Sequence, residues 1–488
     1  MKGKKILSTL LALLLLANLP VSALAAEWDI GNGDITVNAG SGGQTVTQGG
    51  GAAVEDIAPV ITGSSTENTV TINAEKDQTA NVTLSGVNID VSSAVKAAVS
   101  TNGEGNVSIE LDGENNLKSD WEHAGLEKNN DGKLTIADED KDGKLTAEGG
   151  RYGAGIGGGN KGNGDNIAIT GGEVEATGGG AGAGIGGGYK GDGSNITITG
   201  GKVTAIGGKN GAGIGGGLTG NGNHITITGG EVEATGGLLA AGIGGGHEGN
   251  GNNITISGGE VKATGGGNGA GIGGGCYRDG NNITVSGDAK LKVQGGVEDD
   301  TDGAGAGIGD GGSNADGSKI PGAEVAPDTS DLTTGRIEYY APGADMEKDK
   351  PEKTTVGTLP PQEKPVEPIE PEQPEAEHGM DAPLYRVTDQ DGKDIAHEAE
   401  RKDGVLTVTV DADFAILTGK LSSIDTLKRQ GIEKIVFVTN KAASTFQAAD
   451  LLEKGASSDA YRLTHDGATV TFVVSEKNTD VSGILIQP

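Results

Sequence analysis

AGIGGGYKGDGSNITITGGKVTAIGGKNG, residues Ala183–Gly211, is rich in glycine, yet its few apolar residues fall on strict alternations: Ala183 with Ile185, Ile196 with Ile198, Val203 with Ala205. Composition of this kind belongs either to a disordered linker or to a periodic fold. The spacing decides between them. AGIGGG begins at Ala154, Ala183, Ala212, Ala241 and Ala270, each 29 residues after the last, and returns as AGIGD at Ala306. A disordered glycine-rich tract repeats a composition without a register, so this one folds.

Each 29-residue unit holds three short alternating segments, NITIT, KVTAI and AGIGGG, separated by Gly, Asn and Asp. Segments this short, bounded by turn formers, are strands. Three strands per unit, stacked unit on unit, predict one coil each of a parallel β-helix whose core is completed by its neighbours above and below. The inward residues of one coil are then Ile196, Ile198, Val203, Ala205, Ala183 and Ile185. The glycines after the first and second strands are expected to take positive φ at sharp corners. Those within AGIGGG face outward and leave one side of the prism almost bare of side chains. Asn166, Asn195, His224, Asn253 and Asn282 precede the first strand at the same period and predict a side-chain ladder.

Looser copies of the same grammar lie upstream: NVTLSGVNIDV from Asn81, NVSIEL from Asn106 and KLTIADEDKDGKLTAEGG from Lys133. The expected organisation is a β-helix over residues 66–320, with N-terminal cap strands over 26–65. At about 4.8 Å per coil, eight or nine coils make a rod on the order of 40 Å long. These NVTL and GAGIGGG runs resemble secreted clostridial-type surface proteins with a carbohydrate-binding-domain-like right-handed parallel β-helix, over roughly residues 60–310. The resemblance implies glycan binding, of acidic polysaccharides with calcium.

The opening MKGKKILSTLLALLLLANLPVSALAA, with three lysines, an apolar run and small residues at Ala23 and Ala25, reads as a signal peptide over residues 1–25 and so as secretion. The formal charge of −32 argues against nucleic acid or an anionic membrane as partner. No later stretch is apolar enough to span a bilayer, so the mature chain is expected to be released or held non-covalently at a surface. Cys276 is the one cysteine, which excludes an intramolecular disulfide. Residues 340–378, rich in Pro and Glu, read as a stiff spacer. Beyond it LYRVT, GVLTVTV, EKIVFVTN and ATVTFVV read as strands, and SIDTLKRQG and STFQAADLLEKG as helices, of a small α+β domain over 380–488.

Candidate chemistry is sparse. Asp138, Asp140 and Asp142 alternate before Gly143 as in the first half of a calcium loop, but position 12 is Gly149 and no helices flank it. Calcium is the single candidate cofactor, and none is required. Outward threonines, Thr197 with Thr199, Thr226 with Thr228, and Thr255, form an array that could meet a ligand or order water, as on ice-binding β-helices; Thr is also favoured on any solvated strand. Tyr189 is the candidate aromatic contact. Aromatics make up 3% of the chain, which counts against recognition of neutral sugars by ring stacking. No catalytic residue is assigned. A polysaccharide lyase or hydrolase of pectin-lyase-like fold needs a clustered base or carboxylate pair, and here Glu173, Lys202, Glu231, Glu260 and Lys290 simply recur as a ladder. A site breaks a repeat, and almost nothing in these coils does. The expected function is non-catalytic binding or adhesion to a polysaccharide or cell-surface glycan, with a lyase or hydrolase and a structural surface-layer or water-ordering protein as the alternatives.

Overall fold

The computed structural model describes residues 26–357 except 299, 301, 316 and 317, and 385–480 except 391, 392, 394, 403, 430, 431, 453, 456–458, 467, 468 and 475–478. The expected signal peptide and most of the expected Pro/Glu spacer lie outside these residues. The chain divides into two compact units, residues 1–364 and 365–488.

The first unit is a right-handed parallel β-helix. Its rungs visit three sheets in a fixed order. Ile185–Gly186 belongs to a glycine face, Thr197–Ile198 to a threonine face and Lys202–Ile206 to a charged face, before Ile214–Gly215 returns to the glycine face one rung on. The register is unbroken: Ile185 pairs with Ile214, Thr197 with Thr226 and Val203 with Val232. Ile196, Ile198, Val203, Ala205, Ala183 and Ile185 are all buried, as the alternation requires. One apolar column therefore runs from Ile30 to Tyr339. Because every coil shares its core with two neighbours, the helix is stable only as a stack.

Glycine has two distinct roles. At the corner after the threonine face, Gly172, Gly201, Gly230 and Gly259 take φ of 81–87°, as expected. The pair after the charged face does not take positive φ. Gly208 is needed there because a Cβ would run into the carbonyl of Gly179 one rung away. The predicted ladder forms at the turn into the threonine face. Asn195 Nδ2 donates to Asn166 Oδ1 at 3.3 Å, Asn282 Nδ2 to Asn253 Oδ1 at 3.2 Å, and the Asn253 amide meets His224 Nε2 at 3.4 Å. All five residues sit at φ of 55–59°, a left-handed conformation in which Asn and His are the favoured side chains after glycine. The ladder is thus a backbone requirement as much as a hydrogen-bonded column.

Both ends differ from the expected boundaries. Within 26–65, only Gly43–Gln48 and Val54–Glu55 cap, folding back antiparallel on the glycine face. Glu27–Asp29 and Ile35–Gly40 already pair in parallel with Val60–Thr62 and Val70–Ala74, so coils begin before residue 66. At the other end Arg336–Tyr340 adds a further parallel strand to the charged face, and Lys353–Val356 closes it antiparallel. Arg336–Tyr340 and Lys353–Val356 therefore belong to the β-helix rather than to the spacer expected from residue 340. Ile337 and Tyr339 continue the inward column of Leu291 and Val293, a continuation hidden in sequence because the glycine signature has stopped. The charged face accordingly holds ten parallel strands, more than the eight or nine coils read from sequence.

The second unit is α+β. One antiparallel sheet contains Arg386–Thr388, Phe414–Lys420, Ala460–Asp466 and Thr469–Val474. The other pairs Glu398–Lys402, Val405–Thr409, Lys434–Val438 and Ala443–Gln447. Leu421–Arg429 is helical as expected. The second expected helix is shorter: Ala443–Gln447 is a strand, and only Ala448–Leu452 is helix. Ser444 and Phe446 are both buried, so this segment follows period two, not 3.6.

Candidate binding surface

On the threonine face Thr197, Thr226 and Thr255 stand in strict register and continue to Thr284. Thr199 and Thr228, just past the strands, are exposed and form a second column. Hydroxyls therefore repeat at about 4.8 Å between rungs and about 6.7 Å along each strand. The charged face is a different surface. Its outward residues form exposed cross-rung pairs such as Lys144–Glu175 at 2.7 Å, Lys262–Glu233 at 2.9 Å and Lys290–Glu260 at 2.7 Å, which specify register and add little stability.

The three aspartates expected together do not cluster as a triplet. Asp138 and Asp140 meet Glu110 of the preceding rung, with carboxylate oxygens within 4.8 Å of one another, and Asp142 is outside this group. The loop explains it. Asp138 Oδ1 accepts from the Lys141 N–H at 2.8 Å and its Oδ2 from the Gly143 N–H at 3.2 Å, while Lys141 sits at φ 64°. This is a compact Asx-type turn rather than an extended cation loop. Burial raises the pKa of Glu110, opposed by a hydrogen bond from Glu139 N–H and reinforced by the charges of Glu139, Asp138 and Asp140. Three carboxylates suit a divalent cation in type, but the turn already employs both oxygens of Asp138.

Tyr189 belongs to a feature that the 29-residue alignment hides. Two turns flank the glycine face, one entering it from the charged face and one leaving toward the threonine face, and their backbones zip together over it. Tyr189 N–H donates across the face to Tyr152 O at 2.8 Å, while Tyr152 N–H donates to Trp121 O at 2.9 Å within the stacked entering turns. Leu218 N–H to Ala181 O, His247 N–H to Asn210 O and Cys276 N–H to Leu239 O continue the seam. The glycine face is therefore bare because it is covered: Ala183 to Gly188 are all buried. Along the seam the rings of Trp121 and Tyr152 lie 6.0 Å apart at 79°, and those of Tyr152 and Tyr189 5.2 Å apart at 46°. The Arg151 guanidinium sits 4.7 Å from the Trp121 ring centre, and Lys190 Nζ 5.2 Å from that of Tyr189. Trp121 is 54% exposed. Scarce aromatics are thus concentrated into one ridge with cations beside it.

The same region breaks the repeat, contrary to the sequence reading. In the rung AGLEKNNDG, Glu127 takes the register position of Gly157. Glu127, Lys128 and Asn130 are buried. Glu127 Oε2 meets His123 Nδ1 at 2.8 Å and accepts the Ala124 N–H at 3.0 Å, while its Oε1 accepts from Asn129 at 3.0 Å. Burial pushes the Glu127 carboxyl up, yet hydrogen bonds from His123 and Asn129 outweigh it and leave its pKa lowered. The hydrogen bond to Glu127 raises that of His123.

Lys128 Nζ donates to the Asn130 carbonyl at 2.5 Å, and burial pushes its pKa down to about 8 against the opposing charges of Asp165 and Asp131. Lys128, Asn129, Asn130, Asp131, Gly162, Asn163, Asp165 and Asn166 line a polar cavity of about 300 Å³. Asn130 is pinned by Thr101 Oγ1 at 2.8 Å and by donating to Gly105 O at 2.9 Å. The sequence signal was present in the replacement of AGIGGG by AGLEKN.

The model of the beta helix repeat family matches residues 141–160, 167–189, 196–218, 225–247 and 254–276, the regular coils between the irregular rung and the C-terminal closure. No curated protein and no solved structure gives a significant match to the chain. Trp121 and the Lys128 rung lie upstream of the first matched coil, whereas Tyr152, Tyr189 and the threonine columns from Thr197 to Thr255 lie within the matched residues.

Proposed function

We propose that the protein is a secreted or surface-associated, non-catalytic polysaccharide-binding protein whose anchor is the ridge of Trp121, Tyr152 and Tyr189. The observation that carries this reading is the convergence of three of the chain's few aromatic rings on successive rungs, with Trp121 more than half exposed. Such rings present flat apolar area to the C–H face of a sugar at low entropic cost, while neighbouring polar groups fix its orientation. Arg151 and Lys190 supply cationic donors at the ridge. The threonine columns supply weak contacts at a fixed spacing, which add along a polymer by multivalency. Calcium, if used, would be drawn to Glu110, Asp138 and Asp140.

The test is retention of the full chain on a panel of insoluble polysaccharides, with and without calcium, for the wild type and Trp121→Ala. Retention on at least one polysaccharide, weakened about tenfold or more by Trp121→Ala, supports the reading. Depolymerisation with turnover would replace it with a lyase or hydrolase. Self-association without retention would favour a structural surface-layer role.

A further inference from the structure

The buried lysine of the irregular rung points to chemistry that the binding reading does not use. Lys128 is 5% exposed, lines the 300 Å³ cavity and directs its Nζ to a neutral carbonyl, that of Asn130. In its rung the glycine signature of the following coils gives way to Glu127, Lys128, Asn129 and Asn130. Charge surrounds it unevenly. Asp131 and Asp165 belong to the cavity wall, whereas Glu127 is turned to His123, Asn129 and the Ala124 N–H. Asp165 accepts from Ser194 N–H at 2.8 Å, and burial raises its pKa, which shifts it toward the protonated form. A buried amine losing its proton near neutrality, beside a carboxyl able to supply one, is the arrangement that imine formation needs.

We propose that this cavity is a carbonyl-capture site, in which the Lys128 amine condenses reversibly with a small aldehyde such as the open-chain end of a reducing sugar. The Nζ lone pair attacks the carbonyl carbon, and the carbonyl π electrons move to oxygen, which takes one of the two amine protons to give a neutral carbinolamine. Its hydroxyl then leaves as water on accepting a proton from Asp165. The nitrogen lone pair forms the C=N bond, and the nitrogen's remaining proton returns to the Asp165 carboxylate. Amine and aldehyde become imine and water, with no net oxidation or reduction. Asp131 lines the same cavity, and the Asn129, Asn163 and Asn166 amides offer partners for the hydroxyls of a sugar chain. The volume limits the captured group to about one sugar unit.

The experiment uses the full chain with glycolaldehyde and sodium cyanoborohydride, which traps an imine as a stable secondary amine, followed by peptide mass spectrometry. Every other lysine is an internal control. At pH 7.5 Lys128 is expected to be labelled about tenfold or more faster than the exposed Lys141 and Lys190, because burial pushes its pKa down to about 8 and leaves a larger share of its amine neutral. Its rate should level off above pH 8 while theirs keeps rising. Asp165→Asn is expected to slow labelling of Lys128 alone, and Lys128→Arg to abolish the fast site. Labelling of Lys128 no faster than that of the exposed lysines, or a rate still climbing with theirs to pH 10, overturns the proposal. Since the probe is a two-carbon aldehyde, the outcome is independent of whether the ridge binds polysaccharide.

Discussion

The backbone N–H of Tyr189 donates to the carbonyl of Tyr152 at 2.8 Å, although the two residues lie in different turns on opposite sides of the glycine face. That bond is one stitch of the seam roofing the face, and it brings their rings to 5.2 Å. Beneath it the rungs of the glycine face pack backbone on backbone and leave no room for side chains: a Cβ on Gly184 would meet the carbonyl of Gly213 one rung on.

Gly186→Ala should therefore be severely destabilising. Gly186 sits at φ 131°, and a Cβ there would meet the carbonyl of Gly215. A loss of about 3 kcal/mol or more, or failure to fold, is expected in thermal unfolding. Gly180→Ala is the control: its nearest neighbour, Arg151 O, is 3.6 Å from the added carbon, so unfolding should hardly change. Equal melting of the two variants would contradict the rung-to-rung packing of the glycine face.

The asparagine ladder makes a finer distinction. Asn195 adopts φ 56° and donates to Asn166. Asn195→Gly keeps the conformation free of strain, whereas Asn195→Ala places a Cβ residue without local hydrogen bonding in the left-handed region. The alanine variant should be less stable than the glycine variant by about 1 kcal/mol in denaturant unfolding. The reverse order would mean that the side-chain ladder outweighs the backbone requirement.

In the C-terminal unit His465 is fully buried between Thr439 Oγ1 at 3.1 Å and Ser444 Oγ at 2.8 Å, and burial pushes its pKa down to about 4. The unfolded chain, with a histidine near 6.5, binds the proton first as pH falls. Stability from the buried neutral ring is thus present above about pH 6.5 and lost on descending to about pH 4, by about 3 kcal/mol in all. Urea unfolding of this unit should weaken over that window, and His465→Gln should flatten the dependence. A wild-type profile already flat between pH 7 and 4 would contradict the neutral buried state.

The His123–Glu127 pair has the complementary profile. The raised pKa of His123 stabilises fully below about 6.5 and is lost as pH rises through its folded value. The lowered pKa of Glu127 stabilises above about 4.5 and is lost as pH falls through its folded value. The pair is strongest between those limits, so His123→Ala should destabilise the β-helix more at pH 5.5 than at pH 9. A penalty that is equal at both, or larger at pH 9, would remove the charge from the interaction.

The regular coils were legible because inward Ile and Val, corner glycines and αL asparagines each obey the same 29-residue period, and every one of those constraints is local to a single rung. What was hidden depends on contacts between rungs at unequal phase. Tyr152 and Tyr189 align with no common repeat position, yet the seam joins them. Glu110, not Asp142, completes the acidic group because it lies on the preceding rung opposite Ala137, next to Asp138. Ile337 and Tyr339 extend the core after the glycine signature ends, so the coil was judged to stop too soon. The STFQ segment read as helix because its neighbours AADLL are helical, while burial of Ser444 and Phe446 follows the sheet. Lys128 was visible as a break in AGIGGG, but only burial gives that break chemical meaning.

Tryptophan fluorescence tests the central claim most directly. The chain has two tryptophans, and Trp28 is packed against the core with its Nε1 donating to Asp56 at 2.9 Å, so Trp121 is the exposed reporter. Titrating the full chain with the soluble form of each polysaccharide in the panel should give a saturable blue shift or quench with at least one, absent in Trp121→Phe, whose binding persists by calorimetry. Saturable binding that leaves Trp121 emission unchanged, or no binding to any polysaccharide in the presence or absence of calcium, would contradict recognition through the ridge.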